Sequence, residues 1–243
     1  MAEDTYLVRD LWIERRQADS GFRLEVPDFR VGRGEFVAVF GSTGCGKSTL
    51  LDILGFVLRP DRAARFDFSC PRRGLRDMLQ IPSWQRNRIR REAVGYVLQS
   101  GGLLGFLSVR ENILLPAKLK GGIWHKGRRL RDLACRLGIS DQLSKSPQYL
   151  SGGQRQRASI ARALIHDPVI VLADEPTAAV DRLTAEKIVG EFKNLAGSKG
   201  VSVVMVTHDT RLIDPPVCDR AYTFDIRQHP GGLVVSRCIE VAT

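Results

Sequence analysis

Gly41, Ser42, Thr43, Gly44, Cys45, Gly46, Lys47 and Ser48 stand between an apolar run, Phe36–Phe40, and a second apolar segment, Thr49–Leu58. This stretch fits G-x-x-x-x-G-K-[ST] at every fixed position. Strand, glycine loop, helix is an order that few folds accommodate. Glycines let successive backbone N–H groups turn toward one anion, which side chains would obstruct. The following helix aims its N-terminal dipole at the same point. Lys47 supplies a compact cation for β- and γ-phosphates, Ser48 a hydroxyl for Mg²⁺, and Thr49 continues the cradle into the helix. A nucleotide-binding α/β core is the expectation.

The rest of the chain is consistent with that core. Tyr6–Val8, Leu11–Ile13 and Phe22–Val26 are extended runs, and Gly32–Gly34 is a turn. Val94–Leu98, Val169–Ala173 and Val201–Val206 are short apolar strands of the buried type. Helical spacing covers Leu103–Leu143, Ser151–His166 (with Ser151 as N-cap) and Arg182–Ala196. Strands alternating with helices predict a parallel sheet. The segment before Val94 is basic and gives no clear period.

The 243 residues leave room for a substantial core, and no stretch approaches the length needed to cross a bilayer. The acidic start lacks an apolar leader, and the five cysteines are widely spaced with no C-x-x-C pair. A reduced, cytoplasmic protein is therefore expected. Lys and Arg outnumber Asp and Glu by 37 to 27, a net charge of +10. Such a chain attracts anions: nucleotides, nucleic acids, acidic headgroups or an acidic partner. No nucleic-acid module accompanies the charge, so no nucleic acid is expected as partner.

Val169–Ala173 runs into Asp174 and Glu175. Carboxylates at the C-terminal end of such a strand fall at the ligand edge of an open α/β sheet. Asp174 suits Mg²⁺, and Glu175 suits polarising an attacking water. Upstream stand Leu150, Ser151, Gly152, Gly153 and Gln154. A serine before two glycines at a helix start presents N–H groups and a hydroxyl, a second anion-binding helix start.

With Gly41–Ser48, LSGGQ and Asp174-Glu175 in this order, the chain resembles the ATP-binding cassette (ABC) ATPases from about Tyr6 to Phe224. The resemblance implies a P-loop NTPase core with a mixed, largely parallel sheet, an N-terminal antiparallel β subdomain and an inserted α-helical subdomain. It implies one domain over residues 1–243. About 1–98 and 167–243 would form the core with its β subdomain, and about 99–166 the helical part. It implies ATP and Mg²⁺ as ligands, and two chains joined head to tail around two ATP molecules. Each γ-phosphate would meet Lys47 of one chain and Ser151 and Gly153 of the other. Gln99 would touch Mg²⁺ and the attacking water, Asp181 would cross between subunits, and His208 would steady the transferred phosphoryl group. Two departures stand out. Val180 replaces the usual leucine before Asp181. The loop Glu14–Gly21 carries no aromatic residue to stack on adenine, leaving Phe22, Trp12 or Arg16.

Within that family the interval from Lys47 to Ser151 is too short for the long coiled coils of DNA-repair members, and one cassette is present rather than two. A transporter subunit serving a separate membrane permease, bound peripherally at the cytoplasmic face of the inner membrane, is the expected class. The short form is most similar to the lipoprotein-releasing and macrolide-exporter group, which implies envelope mechanotransmission or lipoprotein release or export as its task. A conventional solute exporter or importer is the alternative, and a nucleic-acid-stimulated ATPase a further one. Arg86–Arg91 and Lys126–Arg131 are read as a solvated helix face or a contact for acidic groups.

Overall fold

A computed structural model describes residues 4–17, 20–70, 74–99, 101–122, 126–178, 180–209, 217–229 and 231–241. Asp4–Gln17 forms β1 and Ser20–Gly32 forms β2, paired antiparallel along their length. Asp10, with φ 46°, falls between the pairs Arg9↔Asp28 and Leu11↔Val26, opposite Pro27. Proline donates no ladder bond, and aspartate tolerates the left-handed region. The expected break between Val8 and Leu11 is therefore absorbed within one strand. The expected loop over Glu14–Gly21 is mostly hairpin. Glu14 bridges Arg16 and Arg23, each at 2.5 Å, and pairing continues to Gln17↔Ser20. Residues 18 and 19 of that loop lie outside the described residues.

β3 (Phe36–Phe40) leads through the glycine loop into α1 (Lys47–Leu54). The helix ends earlier than Leu58 because Gly55 caps it and Phe56 takes φ 58°. β4 (Arg65–Cys70) and β5 (Gly74–Asp77) extend the antiparallel wall. α2 (Ser83–Ala93) was not legible, since it buries only Ile89 and Ala93 and presents a thin apolar stripe. β6 (Val94–Val97), α3 (Val109–Leu119), α4 (Lys126–Arg136) and α5 (Gly152–Leu164) follow. β7 (Ile170–Asp174), α6 (Arg182–Lys199), β8 (Ser202–Thr207), β9 (Arg220–Gln228) and β10 (Leu233–Glu240) complete the order.

The strands form one mixed sheet in the order β5-β4-β1-β2-β10-β9-β3-β8-β7-β6. β9, β3, β8, β7 and β6 run parallel to one another, while β1, β2, β4 and β5 pair antiparallel among themselves. β10 joins the two halves, parallel to β2 and antiparallel to β9.

Two cores lie on opposite faces. One sets Leu50, Leu51, Ile53 and Leu54 of α1 against the antiparallel wall and the inner residues of β3, β7 and β8. Burying each such side chain contributes roughly 1.5–3 kcal/mol, which holds α1 beneath the loop that starts it. The other joins the opposite face of the parallel strands to α3, α4, α5 and α6. There the fully buried Asn112 donates through Nδ2 to Leu104, Leu107 and Ser108 carbonyls at 3.0, 3.1 and 3.0 Å. Its Oδ1 accepts from Leu104 N–H at 2.7 Å, so one side chain fixes the turn before α3.

Candidate nucleotide site

The glycine loop leaves the C-terminal edge of β3 in a shape that side chains would spoil. Gly46 has φ 102°, and a Cβ there would meet Phe22 Cζ at 3.0 Å. A Cβ on Gly41 would meet Cys45 Sγ at 2.5 Å. No side chain caps the start of α1, so its first N–H groups are left to a ligand. Lys47 is buried, and its Nζ donates to the carbonyls of Gly41 and Ser42, both at 2.8 Å. Beneath the loop, Ser236 Oγ on β10 donates to Cys45 O at 2.6 Å. No local sequence signal could reveal that support, because its partners are far apart in the chain.

Glu175 draws the other elements together. It follows β7 with φ 44°, and its N–H donates to Val206 O at 3.0 Å. Its carboxylate accepts from Gln99 Nε2 at 3.0 Å, stands 3.3 Å from His208 Nδ1 and 3.9 Å from Lys47 Nζ. Three residues named from separate sequence segments therefore converge on a fourth. Beside it, Asp174 accepts a hydrogen bond from Ser48. Burial pushes the Asp174 carboxyl above the usual range; the Ser48 bond opposes that shift and the Glu175 charge adds to it.

Ser151–Gln154 stands apart. Among the described residues no hydrogen bond or ion pair joins it to Gly41–Thr49. Ser151 and Gln154 form a reciprocal capping box: Ser151 Oγ accepts from Gln154 N–H at 3.2 Å, and Gln154 Oε1 accepts from Ser151 N–H at 2.9 Å. Gln154, read from sequence as part of an anion site, is thus also a helix cap. A Cβ on Gly153 would lie 3.4 Å from Val180, so the residue before Asp181 packs near the same helix start. Asp181 caps α6, accepting from Thr184 N–H at 3.0 Å and Thr184 Oγ1 at 2.7 Å, which lower its carboxyl.

The three base-stacking candidates separate. Trp12 is covered by the Arg23 guanidinium at 5.1 Å, and Arg16 is paired with Glu14. Phe22 lies against Gly46 and is the candidate beside the phosphate loop. Elsewhere, Arg90, Arg91, Leu98, Leu119 and His166 line a groove of about 480 Å³ between α2, α3 and α5. In the second basic cluster, Lys126 and Arg129 pair with Asp167.

The family model described as ABC transporter matches residues 24–178, which include the glycine loop, Gln99, Ser151–Gln154 and Asp174-Glu175. This chain belongs to the ABC transporter family. It is an ATP-binding ATPase cassette on a P-loop NTPase fold. Asp181 and His208 lie beyond the matched span. The lipoprotein-releasing system ATP-binding protein LolD of Gluconobacter oxydans is 39% identical over 76% of this chain and 78% of its own length. The macrolide export ATP-binding/permease protein MacB of Paracoccus denitrificans is 41% identical over 76% of this chain. The chain spans about a quarter of that protein, 27% of its length. A dimeric ATP-binding cassette solved in a post-hydrolysis state with ADP and Pi superposes with a TM-score of 0.81 at 29% identity, covering 98% of this chain and 99% of that one.

Proposed function

We propose that this cassette hydrolyses ATP as the motor subunit of a transporter, closing with a second copy around two ATP molecules to drive a separate membrane permease. The observation that carries this reading is the Glu175 carboxylate, within reach of Gln99, His208 and Lys47 beside an anion-shaped loop. Ser48 Oγ, the Gln99 side chain and Asp174 form a donor set that suits Mg²⁺, a hard cation that takes few protein ligands and shares phosphate oxygens. Mg²⁺ bound there supplies charge neutralisation of the β- and γ-phosphates.

The chain's own groups do the rest. Lys47 exchanges the Gly41 and Ser42 carbonyls for phosphate oxygens, a charge-assisted replacement. The N–H groups of Gly41–Thr49 enclose the triphosphate. Glu175 orients the attacking water, Gln99 holds that water's other side, and His208 steadies the equatorial oxygens. Ser151, Gly152, Gly153 and Gln154 of the second copy close over the γ-phosphate, and Asp181 spans the joint. The isolation of Ser151–Gln154 from its own chain's loop supports a site shared between copies. Phe22 supports the base.

Among the described residues no helix is long and apolar enough to cross a membrane. Association with the cytoplasmic face of the membrane is assigned to the permease, seated on the groove beside Leu98 and Leu119. The names of the relatives favour lipoprotein release or macrolide export as the task. Glu175→Gln is the deciding variant. It should bind a fluorescent ATP analogue normally, lose turnover by about a hundredfold or more, and accumulate as an ATP-dependent dimer in gel filtration. Turnover at the wild-type rate would remove Glu175 from this role.

A further inference from the structure

Arg162 sits on α5, the helix that Ser151 starts, and reaches across to the loop after Gln99. Its Nη1 donates to Gly102 O at 2.6 Å and its Nη2 to Gly101 O at 2.9 Å. Both acceptors have left-handed backbones, φ 75° at Gly101 and 55° at Gly102. Gly101 N–H donates to Leu98 O at 2.9 Å, closing a turn. A Cβ on Gly102 would sit 2.5 Å from Leu98 Cδ1 and 3.4 Å from Arg162 Nη2. The turn is thus shaped around the guanidinium fork. Among the described residues no carboxylate pairs with Arg162, whose guanidinium rests on these two carbonyls. A half-buried cation held by two backbone dipoles fixes the loop more narrowly than a surface ion pair does.

At the near end of that turn, Gln99 donates to Glu175. We propose that Arg162 is a positioning residue for hydrolysis: it holds the turn that aims Gln99 at Glu175, and it makes that aim depend on where α5 lies. The inference rests on the reading of Gln99 as a hydrolytic residue. Because α5 also begins with Ser151, the half-site offered to one nucleotide is mechanically joined to the residue that prepares water at the other. The groove beside Leu98 reaches Arg162 as well, so a segment seated there touches the same joint.

The test is a double-mutant cycle on the full chain with Mg²⁺ and ATP. Arg162→Met keeps the aliphatic stem and removes both donors. Its kcat should fall about tenfold with KM within about twofold, and Arg162→Lys should recover part of the loss. In the Gln99→Ala background, Arg162→Met should cost nothing further, since the group it positions is gone. Without nucleotide, amide exchange should accelerate in the segment 98–104 alone. Gly102→Ala, which displaces the same carbonyl from the loop side, should repeat the pattern and serves if Arg162→Met does not fold. Wild-type kcat in folded Arg162→Met, unchanged exchange, or the same loss in both backgrounds would overturn the proposal while leaving Gln99 in place. If Gln99→Ala alone leaves kcat intact, the hydrolytic reading of Gln99 falls first and this inference with it.

Discussion

Lys47 and Glu175 are each held in a constrained arrangement by groups from their own chain. Lys47 rests on two carbonyls of its own loop, a placement that spares a buried ammonium from standing unpaired. Glu175 sits at φ 44°, a backbone state that side chains rarely adopt and that clusters at working sites. Gly46 carries the sharpest demand. With φ 102° and the Phe22 ring behind it, Gly46→Ala should cost on the order of 1–3 kcal/mol in loop geometry. Titration with a fluorescent ATP analogue should show affinity down about ten- to a hundredfold, with the rest of the fold retained by circular dichroism. Undiminished binding would mean that the loop tolerates a Cβ by shifting Phe22. The residues named from sequence were legible because the phosphate loop and the acid pair follow fixed spacings. What sequence could not give is their convergence on one carboxylate, which depends on the order β3-β8-β7-β6 in the sheet.

Helix starts divide the work between elements. α1 begins on an uncapped glycine, leaving N–H groups for a ligand, whereas α5 begins on a closed capping box. On the proposed reading, a phosphate approaching α5 would meet a helix end that is already ordered, with the Ser151 hydroxyl at its tip. Ser151→Arg keeps monomer binding of ATP but sets a bulky cation where the second copy's triphosphate would enter. In the Glu175→Gln background it should abolish the ATP-dependent dimer in gel filtration; a dimer of normal abundance would count against a shared site. α5 was legible from its apolar spacing and the Ser151 cap, and α6 from its spacing; the helical stretch read over Leu103–Leu143 divides into α3 and α4, with Gly121 at φ 92° after α3. α2 was not, because a helix held by Ile89 and Ala93 shows too thin an apolar stripe. The long β1 was read as separate runs, because Asp10 interrupts the apolar pattern without shifting the register of the ladder.

Across the molecule, the turn from α5 into β7 places a titratable group in the interior. His166 lies there, buried, its Nε2–H on Val94 O at 3.1 Å and its Nδ1 without a partner. Burial, aided by the Lys120 charge, lowers its pKa to about 4. A histidine whose folded pKa lies below its unfolded value near 6.5 stabilises the fold fully above that value and loses the contribution as pH falls toward 4. Between pH 7 and pH 5 the loss should be about 2 kcal/mol, read from urea midpoints. His166→Gln, which keeps a donor for Val94, should flatten that difference relative to the wild-type chain. An equal pH response in both would show that His166 is not the group responsible.

The seat of β10 reaches into how the cassette is made. This strand comes late in the chain yet lies between β2 and β9 in the sheet, and its Ser236 props the loop from below. During vectorial synthesis the phosphate loop emerges from the ribosome long before its floor does. The loop therefore gains its support from below only after β10 has taken its place between β2 and β9.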